Sequence, residues 1–328
     1  MIHYGLAPRH APALPNVGAT MKNNLMHLIV LGGNGFIGSH FTKHAFDAGH
    51  RVTVVDLLPE PRHAHSRPVG FVKGNIRVLA ANRSLLCAAD ALVHCAYSTV
   101  PATANANPVV DLEQNLLPLI VLMQAMSECA LSRIVYLSSG GAVYGRPRQV
   151  PISEDHPLDP LSAYGVSKVA AEKYLGLWTV NHGLRPTIIR PSNPYGPDQG
   201  KIGQLGAVTT FVDRALCGEK AVVWGDGSIV CDFIHIDDCA RLILAMCETD
   251  APGVYNCGAG RGASIAELIE IVKRATGRSL VVERHHPRSF DPPEIVLDID
   301  RARHTFGWEP RIALEDGVAM LVEHSRKH

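Results

Sequence analysis

The segment HLIVLGGNGFIGSH, residues 27–40, leaves this chain few ways to fold. His27 to Leu31 is a short, uninterrupted apolar run, the pattern of a strand covered on both faces. Gly32, Gly35 and Gly38 follow at three-residue intervals. Ile37, Phe41, Ala45 and Ala48 then fall near one helical face before Gly49 ends the segment. Strand, glycine turn and helix in that order make the phosphate-cradling start of a dinucleotide-binding βα unit. The turn admits a pyrophosphate, and the helix beginning at Phe36 and Ile37 aims its free N–H groups at it. The next strand, RVTVVD, ends on Asp56, where a carboxylate bonds an adenosine ribose. It would also repel a 2′-phosphate, which favours NAD over NADP.

Further short apolar runs, ALVHCA (91–96), RIVYLSS (133–139) and RPTIIRPS (185–192), alternate with helical segments, one of them expected from about Val109 to Ala130. The alternation predicts an α/β fold with a Rossmann-type doubly wound parallel sheet. After Arg190 the chain becomes rich in Pro, Gly and Asn, as in a loop laid over a site. The expected division is a loose extension over 1–25 and an NAD-binding domain over 26–190, to which 229–260 returns. Residues 191–228 and 261–328 are expected to form a smaller C-terminal substrate-binding lobe. FVKGNIRV (71–78) should lie beside the adenine, with Asn75 and Ile76 as contacts.

Composition removes several classes. Lys plus Arg and Asp plus Glu are 31 each, so no global field points to nucleic acid or an anionic membrane. No apolar stretch reaches the roughly 18–20 residues of a membrane span, so no membrane association is expected. The 8 cysteines form no CxxC pair and several lie in apolar runs, which predicts reduced core thiols and a cytoplasmic protein. Neither His285–His286 nor RHAHSR (62–67) has an accompanying carboxylate set, and no metal is expected.

YGVSK places Tyr164 and Lys168 at i and i+4, on one face of a helix. A phenol with a pKa near 10 needs help to act as a base, and a neighbouring ammonium is expected to lower that value. Such a pair suits proton removal from a carbinol as its hydride leaves. Tyr97, Ser98 and Thr99 follow the ALVHCA run and are placed to line a substrate pocket.

Taken in order, GGNGFIG, Asp56, VHCA, SSGGAVYG, YGVSK, RPSNPYGP, GDGSIVCDFIHIDD and RSFD resemble the extended short-chain dehydrogenase/reductase family. More narrowly, they are similar to its NAD-dependent epimerase/dehydratase branch, near the UDP-glucose 4-epimerases. The resemblance implies a held NAD, a nucleotide-sugar substrate (a UDP-sugar foremost) and a homodimer joined through helical pairs. It implies 4-epimerisation: Tyr164 takes the C4 hydroxyl proton, the hydride leaves, and it returns to the other face. By the same likeness Asn193 and Arg288 belong beside the substrate diphosphate. Two positions depart from the family pattern. Gly140 stands four residues before Tyr144, where the family carries Ser or Thr, and Ser139 is the expected replacement. Cys231 stands where an arginine would bind diphosphate, a role a thiol cannot take. Gly141 and Ala142, where dehydratases carry acidic groups, disfavour loss of water. A sugar-nucleotide reductase or dehydrogenase, and an NAD-binding scaffold without activity, remain the alternatives.

Overall fold

The computed structural model describes residues 25–58, 70–199, 206–287 and 292–327. The strands are β1 (His27–Leu31), β2 (Arg51–Asp56), β3 (Gly70–Lys73), β4 (Ala91–His94), β5 (Arg133–Leu137), β6 (Arg185–Pro191) and β7 (Asn193–Tyr195). They continue as β8 (Ala221–Trp224), β9 (Val230–His235), β10 (Gly253–Cys257), β11 (Gly262–Ser264), β12 (Val282–His285) and β13 (Glu294–Ile295). The helices before the lobe are α1 (Phe36–Asp47), α2 (Ile76–Ala81), α3 (Arg83–Cys87), α4 (Pro101–Ala106), α5 (Pro108–Asp111), α6 (Leu117–Glu128) and α7 (Ala163–His182). After them come α8 (Ala207–Cys217), α9 (Ile236–Glu248), α10 (Ile265–Thr276), α11 (Asp300–Phe306) and α12 (Leu314–Lys327).

Seven strands form one parallel sheet in the order β10-β6-β5-β4-β1-β2-β3. Successive side chains of β1 point to opposite faces, and both faces are apolar. Leu28 and Val30 pack with Phe41 and Ala45 of α1 and Leu242, Ile243 and Met246 of α9. Ile29 and Leu31 pack with Leu79 of α2, Leu122 and Met126 of α6 and Leu175 of α7. The strand order reverses between β1 and β4, so the loops leaving these neighbours meet at one edge, where ligands of such sheets bind.

Within 229–260, α9 and β10 join the large sheet's layers, whereas β9 pairs with β7, β11 and β13 in a smaller sheet. That sheet, the β8–β12 pair and helices α8, α10 and α12 enclose a separate apolar core around Phe211, Phe233, Leu268 and Val318. Asp232, fully buried on β9, ties the two parts together. Its carboxylate accepts from Ser192 Oγ at 3.1 Å, Ala259 N at 2.6 Å and Leu297 N at 3.1 Å.

Two sequence expectations change here. Cys87 and Cys129 are joined in a disulfide, linking α3 to the end of α6, so the cysteines are not all reduced. The two thiols lie far apart in sequence, and only folding α3 against α6 brings them together. Residues Pro108–Glu128 also form one 21-residue helix, through a π-helical turn at Leu112–Leu116, long and apolar enough by composition to span a bilayer. A helix is expected there from the sequence, over about 109–130; its length and apolarity together are hidden because Asp111 and Glu113 interrupt the apolar run without interrupting the helix. The helix packs on α2 and α7.

Beneath the carboxyl edge, Arg190 of β6 and Glu172 of α7 are buried together. Arg190 Nε lies 3.0 Å from Glu172 Oε1 and Nη2 lies 2.5 Å from Oε2. Arg190 Nη1 also donates to Tyr144 Oη at 2.9 Å. This pair fixes the rotation of α7. Replacing Arg190 with Leu leaves Glu172 uncompensated and is expected to cost about 3–5 kcal/mol in urea unfolding. The Arg190→Met, Glu172→Met double variant is expected to cost much less.

Candidate active site

The glycine turn leaves β1 with Gly32 at φ 82°, in the left-handed region. A Cβ on Gly32 would stand 2.6 Å from Ala96 N, and one on Gly38 would stand 2.1 Å from Gly32 O. The turn therefore closes tightly on itself and on the loop leaving β4. Gly35 caps α1 without a side-chain hydrogen bond, so the N–H groups of the first turn, at Phe36 and Ile37, are open to a ligand. Asp56 sits at the end of β2, half-buried. Its Oδ2 accepts from Asn34 N and its Oδ1 from Leu58 N, each at 2.9 Å, which anchors the carboxylate against the turn. An uncapped helix start, a turn with no room for side chains and a fixed acidic group beside it fit a dinucleotide.

Asn75 has a different task from the one expected. Its side-chain oxygen accepts from Arg77 N at 3.0 Å and Val78 N at 3.3 Å, capping α2. That acceptor is spent on the helix, and only the amide NH₂ is left for a base edge. Ile76 is buried against the core beside it.

The reacting centre forms where α7 crosses the carboxyl ends of β4 and β5. Ser162 caps α7 by accepting from Gly165 N at 3.1 Å, which places Tyr164 in the first turn and Lys168 one turn on. Lys168 is buried, and among the described residues its ammonium makes one hydrogen bond, to Leu137 O at 2.6 Å. Aromatic faces surround the rest of it: Nζ lies 3.8 Å from the Tyr97 ring centre, 5.0 Å from that of Tyr136 and 5.6 Å from that of Tyr164. Burial pulls its pKa down to about 7, against the opposing charges of Asp111 and Glu172. His94, at the end of β4, is buried with both ring nitrogens unpartnered among the described residues, and burial together with Lys168 holds it neutral, at about 3.

Tyr164 does not show the expected acidification. Burial, with the charge of Asp111, raises its phenol to about 12, and only the Ser139 hydroxyl works the other way. The reason is geometric: Lys168 points at the Leu137 carbonyl and the Tyr97 face, not at the phenol oxygen.

Ser139 is the hydroxyl that bears on the phenol. Ser139 reaches Tyr164, while Ser138, the previous residue, turns to Glu172. Gly140 faces elsewhere: a Cβ there would lie 2.6 Å from Leu297 Cδ1 and 3.0 Å from Arg190 O. The position that looked vacant in sequence is pressed against the lobe and has no line to the phenol.

On the far side, Ser98 N and Oγ bond Asn115 Oδ1 at 3.0 and 3.2 Å, and Thr99 Oγ1 bonds Asp111 Oδ1. The loop is thus stitched to the α5–α6 helix, and the Thr99 hydroxyl is turned inward. Asn193 donates to Asp232 O at 3.0 Å, a bond that holds β7 to β9. Cys231 is half-buried on β9, opposite Ala263 and Ile295. Arg288 lies outside the described residues, as does RHAHSR. No cluster suited to a metal occurs among the described residues. A cavity of 470 Å³ in the lobe, lined by Phe233, Arg261, Ala263, Ile271 and Arg274, shares no residue with this centre. Sequence reasoning passed over Asp111, Asn115 and Ser167, which stand in it. The signal was present: Asp111 follows two valines and leads a mainly apolar helix, with Glu113 as the only other carboxylate before Glu128.

Residues 28–258 match the model of the NAD dependent epimerase/dehydratase family. The chain belongs to this family. It is 34% identical over 310 residues to the UDP-glucose 4-epimerase of Mycolicibacterium smegmatis, covering 92% of this chain and 99% of that one. Among solved structures it is similar to the Thermotoga maritima UDP-glucose 4-epimerase with UDP-glucose, at TM-score 0.86 and 32% identity, covering 92% of this chain and 99% of that one. It is similar also to the Thermus thermophilus UDP-glucose 4-epimerase complex with NAD, at TM-score 0.84 and 31% identity, with the same coverage.

Ser139→Ala is expected to lower turnover by roughly 10²-fold with protein stability unchanged. Gly140→Ser is expected to lower the melting temperature, and the double variant Ser139→Ala, Gly140→Ser to stay as slow as Ser139→Ala. Recovery in the double variant would show that position 140 does reach the phenol.

Proposed function

We propose that the chain is an NAD-dependent nucleotide-sugar 4-epimerase acting on UDP-sugars. The observation that carries this reading is the Tyr164 ring beside the buried Lys168, with Nζ 5.6 Å from the ring centre, at the edge where the glycine turn meets the loop leaving β4. Gly32, Gly35, Phe36, Ile37, Gly38 and Asp56 would hold the dinucleotide. When bound, NAD would supply the hydride acceptor. Tyr164 holds the proton position at the sugar C4 oxygen: as phenolate it accepts the hydroxyl proton, and as phenol it returns it. Ser139 bears on the Tyr164 oxygen, which favours the phenolate by taking up part of its charge. Lys168 keeps a cation buried behind the phenol, and Tyr97 and Tyr136 shield that cation from water. Ser98 and Asn193 are read as sugar- and diphosphate-side contacts, with Thr99 supporting the loop and Arg288 as the phosphate cation. With Cys231 uncharged, diphosphate binding falls more heavily on that single arginine.

The same reading includes a homodimer and a cytoplasmic location. Val109, Leu112, Leu117 and Val121 on the α5–α6 helix and Val166, Leu177 and Val180 on α7 are exposed, and the two helices pack together. Exposed apolar residues over two adjacent helices are the ordinary signature of a protein interface. Sedimentation is expected to give a dimer that Leu117→Asp with Leu177→Asp converts to monomer.

Denaturing the purified protein is expected to release NAD rather than NADPH. Supplied with UDP-glucose, the protein is expected to form its C4 epimer, and Tyr164→Phe to lose at least about 10³-fold in turnover while still releasing NAD. An inert wild-type protein that releases NAD would contradict the reading and leave the scaffold alternative.

A further inference from the structure

The carboxylate of Asp111 is the most enclosed charged group near the reacting centre, and the reaction just described gives it no role. It ends α5, fully buried, immediately before the π-helical turn. Extra residues of this kind inside a helix recur at functional sites, where they re-aim side chains. Four donors converge on it. Thr99 Oγ1 and Asn115 Nδ2 bond Oδ1, the latter at 3.2 Å, while Ser167 Oγ bonds Oδ2 and Tyr97 Oη lies 3.5 Å from it. They come from the loop after β4, from α7 and from the helix that carries Asp111. This nearly fills the roughly four acceptor positions of a carboxylate.

Tyr97 is the link between this anion and the chemistry. Its hydroxyl points to Asp111, its face lies 3.8 Å from Lys168 Nζ, and its ring meets the Tyr164 ring edge-on, with centres 5.0 Å apart. Ser167, the residue before Lys168, is pinned by the same carboxylate, so two elements are registered from one point.

We propose that Asp111 is a positioning residue of the reacting centre: its carboxylate clamps Tyr97 and Ser167, and through the Tyr97 ring, which touches both, it fixes the Lys168 ammonium and the Tyr164 ring relative to each other. The proposal rests on the epimerase reading for its kinetic consequence only. The charged and titratable groups around the pair are few: Asp111 on α5, Glu172 on α7, His94 and Cys95 from β4, Tyr136 on β5, and Tyr97 itself. Glu172 is already paired with Arg190. The charge of Asp111 raises the proton affinity of both Tyr164 and Lys168. Removing it therefore moves both titrations to lower pH.

The test uses the full-length holoprotein and two readouts. Tyrosinate absorbance is followed with pH, with the signal of Tyr164 isolated by subtracting Tyr164→Phe in each background. In Asp111→Asn the phenol is expected to ionise about tenfold more readily. Epimerisation of UDP-glucose should show kcat down about tenfold or more with KM little changed, and its pH profile displaced the same way. Tyr97→Leu should lower kcat similarly, whereas Tyr97→Phe, which keeps the ring, should recover much of the loss. An unmoved titration in folded Asp111→Asn, or equal losses in Tyr97→Leu and Tyr97→Phe, would overturn the proposal. Should Asp111→Asn fail to fold, the Tyr97 pair decides. An inactive wild-type protein would sink the epimerase reading alone, because the absorbance titration still reports on Asp111.

Discussion

An ammonium group kept from water sets the terms for the rest of the site. Lys168 is 3% exposed, and loss of hydration pulls its pKa down to about 7. What opposes that pull is an unusual set of neighbours: one carbonyl, three aromatic rings and two carboxylates at a remove. None of these works unless α7 lies at one rotation. Ala171 and Leu175 seat that helix on the sheet, and the Glu172–Arg190 pair locks it. With α7 so fixed, Tyr164 emerges at the carboxyl edge of the sheet.

The second requirement is that a cofactor and a sugar meet there, and strand order supplies it. Because β1 and β4 are neighbours, the glycine turn and the loop 95–99 leave the sheet side by side. They approach so closely that Gly32 has no room for a side chain against Ala96. The turn that fits a pyrophosphate and the loop that carries Tyr97 to Thr99 thus position each other. The smaller lobe closes over this edge from the other side, held by Asp232 and by Leu297 against Gly140.

Much of this was legible before the coordinates. Two-faced burial made β1, β4 and β6 readable as apolar runs, and the glycine spacing with Asp56 was readable because few chemistries need it. The family resemblance carried Tyr164 and Lys168 in the same way. The failures share a cause: they concern where a side chain points. Gly140 was counted as a lost hydroxyl, because sequence distance from Tyr144 does not show that position 140 faces Leu297. Asn75, expected against a base, keeps only its amide NH₂ for one, because its oxygen caps α2. Lys168 was expected to acidify Tyr164, yet i,i+4 spacing fixes only the face of the helix, and the long side chain turns toward Leu137 instead. Asp111 was missed because a single carboxylate in an apolar helix reads as a solvated interruption until its four donors are seen. Cys87 and Cys129 come from helices that meet only in the fold.

The most direct test of the account is the fate of a deuterium atom placed at C4 of UDP-glucose. If the chain's residues move only the hydroxyl proton while the C4 hydrogen leaves and returns within one closed site, the epimerised product will keep its deuterium at C4. Deuterium lost to water, or carried away in a released reduced nicotinamide, would contradict the epimerase account at its centre.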